Sequence, residues 1–105
     1  MPPSIAIIGA GAAGLMAAIH AASAGGRVVL LERTGDGGRK ILISGGGRCN
    51  VLPASLDERR FVTASSPNSL RKILRSWPHR EMRTFFERDA NLPLVVEEST
   101  GKLFP

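Results

Sequence analysis

Two short apolar runs flank an alanine-rich segment in the first third of the chain. Residues 4–8 read Ser-Ile-Ala-Ile-Ile and residues 28–31 read Val-Val-Leu-Leu, and continuous apolar runs of this length are typical of buried parallel strands. The alanine-rich residues 12–24 between them predict a helix packed closely on a sheet, and Gly25 and Gly26 supply its C-terminal stop. The order strand, helix, strand predicts a right-handed βαβ unit.

The second half of the chain shows helical periodicity instead. Four apolar side chains repeat at the i, i+3, i+4, i+7 spacing of one helix face: Leu70, Ile73, Leu74 and Trp77. They predict an amphipathic helix over about residues 68–77. Pro78 then starts or interrupts a further helix, which extends to about residue 90. Residues 94–96 predict a short strand, and Gly101 predicts a turn after it.

A glycine motif joins the first strand to the first helix. Residues 9–14 read Gly-Ala-Gly-Ala-Ala-Gly, and the second strand ends on Glu32, 18 positions after Gly14. This is the G-x-G-x-x-G pattern of dinucleotide-binding folds in its full strand–helix–strand context. In such folds Gly9 would permit a tight turn, Gly11 would let a pyrophosphate approach the backbone, and Gly14 would let the helix lie close to the sheet.

The motif predicts a binding role for the N-terminus of the helix and another for Glu32. The N-terminal turn, with Ala12 and Ala13, offers backbone N–H groups and a partial positive charge to phosphates. The Glu32 carboxylate would accept hydrogen bonds from adenosine ribose hydroxyls and repel a 2′-phosphate, which disfavours NADP at this site. The alternatives are a plain turn for the glycines and a solvated acid for Glu32, and the surrounding pattern favours the dinucleotide interpretation.

A second glycine-rich region follows the βαβ unit. Residues 34–40 predict a loop, and so do residues 44–50, which read Ser-Gly-Gly-Gly-Arg-Cys-Asn. Ordering three consecutive glycines costs much chain entropy, which a close approach of the backbone to a ring or a phosphate would explain. A flexible hairpin loop is the alternative. The candidate cofactor contacts in this region are Arg33, Arg39, Lys40, Ser44, Gly45, Gly46, Gly47, Arg48 and Asn50.

The net charge and the cysteine content indicate which classes of ligand and which cellular setting fit the chain. The formal net charge of +5 is compatible with nucleic acid, but no aromatic side chains alternate with the early cations for base stacking, so a phosphate-bearing cofactor is favoured. The chain has a single cysteine, Cys49, so no internal disulfide can form, and this favours a reduced, cytoplasmic setting. No cysteine cluster with metal-ligand spacing occurs, so no metal site is expected. Residues 5–24 are nearly all apolar or small, but no positive segment precedes them as in a signal peptide. The stretch also contains the three motif glycines and His20, so we expect no membrane association.

The chain resembles the bacterial NAD(P)/FAD-dependent oxidoreductases of the aminoacetone-oxidase-like family. The resemblance rests on the glycine motif with Glu32, residues 38–40 (Gly-Arg-Lys), residues 44–50 and the closing residues 101–105 (Gly-Lys-Leu-Phe-Pro). The block from Gly-Arg-Lys to Ser-Gly-Gly-Gly-Arg-Cys-Asn is the specific part. The resemblance spans essentially the whole chain but only the opening part of the family's length. One departure is visible, since Val51 and Leu52 stand where the family often continues with Thr-Asn.

The resemblance implies the N-terminal part of an FAD-binding domain, with FAD as cofactor, a small-molecule substrate, and NAD(P)H as a candidate electron donor. We expect an incomplete α/β, Rossmann-type βαβ fold, because a third parallel strand is not recognisable. Residues 1–33 would form the fingerprint unit, residues 34–52 the cofactor loops and residues 53–105 a helical extension. We expect a truncated product, inactive alone.

Two other function classes stay open at this point. The fingerprint by itself does not separate FAD from NAD, so a fragment of an NAD-dependent dehydrogenase is one alternative. A non-catalytic nucleotide- or RNA-binding module is the other. No residue of this chain is assigned a catalytic role, because in a flavoenzyme the cofactor carries the redox chemistry. The pattern leaves the oligomeric state undetermined.

Overall fold

The βαβ unit predicted from the apolar pattern is present in the computed structural model, which describes all 105 residues. The strand β1 (Ser4–Ile8) leads into the helix α1 (Ala12–Ser23), and β2 (Arg27–Leu31) pairs parallel to β1. The chain divides into two units, Met1–Cys49 and Asn50–Pro105. The first unit holds this βαβ element, and the α/β class is confirmed.

Glycine ends α1 as predicted. Gly25 adopts a φ of +88°, a left-handed conformation that residues with a Cβ rarely take. Its N–H donates to the carbonyl of Ala22 at 2.9 Å, and the N–H of Gly26 donates to the carbonyl of Ala21 at 3.0 Å. The last helical carbonyls are thereby satisfied by backbone donors, and the chain turns into β2.

The prediction that both strands are buried on two faces is wrong. Ile8 is 86% exposed, and Val29 and Leu31 are 57% and 52% exposed, whereas Ile7 and Val28 are half-buried. Successive side chains of a strand point to opposite faces, and α1 packs on one face of this pair. The apolar residues of the other face are therefore left open to solvent.

The second glycine-rich region contains a helix, which corrects the loop prediction. The segment α2 (Arg39–Gly47) is regular over residues 39–43, but Ser44 has non-helical angles, and Gly45 and Gly46 adopt φ of +58° and +69°. Glycine enters the left-handed region readily because it has no Cβ. The glycines thus break the regular helix, while the apolar segment before them forms it.

The second unit carries a small sheet, of which the sequence pattern predicted one strand. Three strands, β3 (Leu52–Pro53), β4 (Val95–Glu97) and β5 (Lys102–Phe104), lie in the order β3-β5-β4, all antiparallel. Gly101, at φ +65°, forms the turn into β5. The predicted strand and turn near the end of the chain are therefore confirmed, and this unit mixes sheet and helix.

The helices of the second unit follow their sequence signals. The helix α3 (Pro67–Ser76) begins after Ser66, whose Oγ accepts the N–H of Asn68 at 3.2 Å, with proline in the first turn. Pro78 precedes α4 (His79–Thr84), which continues as one π-helical turn, Phe85–Asp89. A 3₁₀ turn, Glu58–Arg60, precedes α3.

Aromatic and aliphatic side chains hold the second unit together. Leu103 is fully buried, and Leu94 and Phe104 are each 6% exposed. The Trp77 and Phe85 rings meet edge to face with centroids 5.5 Å apart, a favoured aromatic geometry. None of the helices in the chain combines the length and apolar character needed to cross a bilayer.

Candidate dinucleotide site

The fingerprint loop begins with a sharp turn at the end of β1. Gly9 has a φ of +97°, and its N–H donates to the carbonyl of Leu31 at 2.7 Å, which extends the β1–β2 pairing by one residue. A side chain at Gly9 would be strained in this conformation. The tight turn predicted for Gly9 is present, and it directs the chain from the strand into α1.

Gly14 marks the closest approach of α1 to the end of β1. A Cβ on Gly14 would lie 1.8 Å from the carbonyl oxygen of Gly9 and 3.6 Å from Cγ2 of Ile7. The first distance is far inside van der Waals contact, so no side chain fits here. The close helix–strand packing predicted for this glycine is therefore present.

Gly11 differs from the other two glycines of the motif. It is the N-cap residue of α1, with φ −84°, and no side chain caps the helix. A Cβ on Gly11 would meet nothing within 4 Å. The protein's own packing does not require glycine at Gly11, and the space in front of the helix start is open.

Backbone donors point into that open space. The first backbone hydrogen bond at the start of α1 runs from the N–H of Leu15 to the carbonyl of Gly11 at 2.9 Å. The N–H groups of the preceding turn, from Ala12 to Gly14, have no partner within a helix that begins there. These donors, with the positive end of the helix dipole, form an anion-binding arrangement.

Glu32 ties the end of β2 to the fingerprint loop. Its Oε1 accepts the N–H of Ala10 at 2.9 Å, while its Oε2 accepts the N–H of Thr34 at 2.8 Å and the Thr34 hydroxyl at 2.5 Å. We call this group of Ala10, Glu32 and Thr34 the Glu32 clamp. Charge-assisted bonds of this kind are stronger than neutral ones, so the clamp sets the position of the loop relative to β2.

The Glu32 clamp keeps its carboxylate ionised. Hydrogen bonds from the Thr34 hydroxyl, then from the backbone N–H groups of Ala10 and Thr34, lower the pKa of Glu32 from 4.5 to about 2, and the positive charge of Arg33 adds a smaller effect. A carboxylate has about four acceptor positions, and three donors use this one. Glu32 therefore keeps room for about one further donor, whereas the sequence pattern predicts that it accepts from more than one ribose hydroxyl.

Ala10 is held on both of its backbone groups. Its N–H enters the Glu32 clamp, and its carbonyl accepts the N–H of Gly38 at 2.7 Å. Ala10 is 6% exposed, and a Cβ on Gly37 would lie 2.9 Å from the Cβ of Ala10. The loop of residues 32–38 thus packs directly on the fingerprint loop and requires small residues on both sides.

Sequence reasoning missed Ala10 and Thr34. A hydroxyl residue two positions after an acid is a signal for Thr34, because Ser and Thr form local hydrogen bonds over that spacing. Ala10 has no comparable sequence signal. It acts through its backbone N–H, which donates to Glu32, a residue 22 positions away.

The cations predicted beside the cofactor have varied surroundings. Arg39 is paired with Asp36 at 2.9 Å, and both side chains are 63% exposed. Arg33 and Lys40 are exposed. The Arg48 guanidinium donates to the carbonyl of Gly45 at 2.9 Å, so it supports the glycine turn itself.

The other two predicted polar contacts are Ser44 and Asn50. The Ser44 hydroxyl donates to the carbonyl of Ile41 at 2.8 Å, which fixes the point where α2 leaves regular helix. Asn50 belongs to the second unit, across the boundary after Cys49. The structure therefore brings the three motif glycines and Glu32 together in one place, and it gives residues 44–48 a local turn of their own.

The Glu32 clamp predicts a pH dependence of stability. Because the pKa of Glu32 is about 2 in the folded protein and 4.5 ordinarily, its stabilising contribution is complete above about pH 4.5 and is lost as the pH falls toward 2. NMR titration of the Glu32 carboxyl carbon measures this pKa directly. We expect Thr34→Val to raise it, since the Thr34 hydroxyl is the largest cause of the shift, and Thr34→Ser to keep it low. Equal values in all three proteins would contradict the clamp.

Comparison with known proteins agrees with this geometry. A family model described as the HI0933-like protein Rossmann domain matches residues 3–105. None of the curated proteins matches the chain. The match extends over nearly all of the sequence, including the glycine fingerprint, the second glycine-rich region and the closing strands. The chain therefore belongs to the HI0933-like family, as the Rossmann domain of this group of flavoprotein-related oxidoreductases.

Proposed function

We propose that this chain is the FAD-binding N-terminal part of an oxidoreductase of the aminoacetone-oxidase-like type. The observation that carries the proposal is the uncapped start of α1, where open space at Gly11 lies in the same loop that the Glu32 clamp holds. When bound, FAD supplies hydride or electron transfer, and the protein supplies binding and orientation.

The residues present fit the ADP half of such a cofactor. The N–H groups of the first helical turn are donors for a pyrophosphate, and the absence of a Cβ at Gly11 lets it come close. Glu32, with about one acceptor position left, would take a ribose hydroxyl. Its low pKa keeps it negative at neutral pH, so a 2′-phosphate there would be repelled and NADP disfavoured.

The second glycine-rich region supports FAD over NAD. The glycine fingerprint is common to both cofactors, whereas the block from Gly38 to Asn50 is the part that resembles flavoproteins of the aminoacetone-oxidase-like family. Left-handed Gly45 and Gly46 expose backbone without side chains, which suits a flat ring passing close by. In this proposal Lys40, Arg39 and residues 44–50 lie along the pyrophosphate and toward the flavin.

The proposal extends to the reaction partners. A small-molecule substrate would reduce or be reduced by the flavin, with NAD(P)H as a candidate donor, in a cytoplasmic enzyme. An NAD-dependent dehydrogenase is the second candidate, favoured only by the shared fingerprint.

The visible absorption spectrum of the purified complete protein tests the cofactor. We expect flavin bands and FAD, identified by chromatography, in the extract released from the protein. The Gly11→Ala variant tests the place of the pyrophosphate. Its Cβ meets nothing in the protein but would occupy the space for the pyrophosphate. It should fold normally and lack the flavin bands. A colourless protein that takes up no FAD but binds NAD would overturn the flavoprotein proposal.

A further inference from the structure

An open groove lies beside α3 in the second unit, outside the proposed cofactor site. It has a volume of about 590 Å³, within the range of small-molecule sites. Two of its wall residues are notably uncovered, since Phe61 is 43% exposed and Val62 is 97% exposed. Five of the ten residues that line it are apolar: Phe61, Val62, Pro67, Leu70 and Leu74.

The charges around this α3 groove are paired with one exception. The Arg75 guanidinium holds Glu58 through two bonds, at 2.7 and 3.1 Å, and these bonds lower the pKa of that carboxyl. Arg59 is held by Asp57 at 3.0 Å. Arg71 also lines the groove; it donates no hydrogen bond to Glu58, but its positive charge contributes to the lowered pKa of that carboxyl. With Arg75 bonded to Glu58 and Arg59 bonded to Asp57, the charged residues around the apolar wall leave one positive charge in excess.

We propose that the α3 groove binds a small monoanion with an apolar body, of the chemical class of a medium-chain carboxylate. The carboxylate pairs with the Arg71 guanidinium, which is suited to it by its planar donor fork. The aliphatic body lies on the wall formed by Val62 and Leu74, where it removes exposed apolar surface from water. This site does not depend on the cofactor assignment, since all its residues belong to the second unit.

Isothermal titration of the complete protein with decanoate tests the site. We expect saturable binding of decanoate and none of decyltrimethylammonium, which has the same tail and the opposite charge. Arg71→Met removes the charge but keeps an unbranched side chain, and it should weaken decanoate binding by about tenfold or more. Lys72→Met is the matched control, because Lys72 is the neighbouring cation on α3 and does not line the groove; it should change the affinity by less than about twofold.

A second variant tests the apolar wall. Val62 is almost fully exposed, so Val62→Asp leaves the packing intact and places a negative charge beside the ligand. It should weaken decanoate binding by about tenfold. Flavin content, measured in the same samples, should be unchanged in all three variants, which separates this proposal from the cofactor proposal.

Three results would overturn the groove assignment. Equal binding of decanoate and decyltrimethylammonium would show that charge has no part in it. Unchanged affinity in both Arg71→Met and Val62→Asp would place the ligand elsewhere. Binding of single-stranded RNA with equal losses in Arg71→Met and Lys72→Met would identify a general polyanion surface along α3 instead.

Discussion

The Gly14→Ala variant is expected to lose about 3 kcal/mol or more of folding free energy, because overpacking of this severity exceeds the usual cost of an added methylene. The new Cβ would lie 1.8 Å from the carbonyl oxygen of Gly9, a backbone atom that no side-chain rotation can move away. Relief requires α1 to shift off β1, which breaks the packing that buries the covered face of the sheet. Urea unfolding of the complete protein, with amide hydrogen exchange in β1 and β2, measures the loss.

Gly11→Ala is the control for this prediction. It makes the same substitution in the same motif, at a residue with an ordinary φ of −84° and no neighbour within 4 Å of the new Cβ. The expected change in folding free energy is below about 1 kcal/mol, the scale of an N-cap substitution. An equal loss of folding free energy in both variants would show that the close contact at Gly14 does not determine stability.

The Glu32→Ala variant is expected to bind the cofactor about tenfold to a hundredfold more weakly, since it removes charge-assisted hydrogen bonds. Two effects contribute, because Glu32 is placed to accept a ribose hydroxyl and also holds Ala10 and Thr34 in the clamp. Titration of FAD into the deflavinated complete protein measures the affinity.

Thr34→Val separates the two effects. It removes the hydroxyl from the Glu32 clamp and leaves the carboxylate in place, so it should weaken FAD binding by less than about tenfold, the loss of one hydrogen bond. Unchanged affinity in Glu32→Ala would exclude the ribose role. A loss in Thr34→Val as large as that in Glu32→Ala would assign the whole effect to loop positioning.

The candidate site was predictable where the signal is local. The glycine spacing in its strand–helix–strand context predicts the structural roles of Gly9 and Gly14, and the structure gives Gly9 a left-handed φ and Gly14 a contact that excludes any side chain. Glu32 was placed correctly at the end of β2, but its bonds to Ala10 and Thr34 were not foreseen. Hydrogen bonds between residues far apart in the chain leave no periodic signal in the sequence.

The sequence by itself determined the elements of this protein: β1, α1, β2, α3 and α4 form where apolar spacing, glycine and proline place them, because these signals act over a few residues. Only the tertiary structure decided which strand face is covered, where the glycines of α2 leave regular helix, and what Glu32 and Arg39 bind. Those outcomes depend on which segments meet in space. The contact between Ala10 and Glu32 joins residues 22 positions apart, and it exists only once β1 and β2 lie side by side.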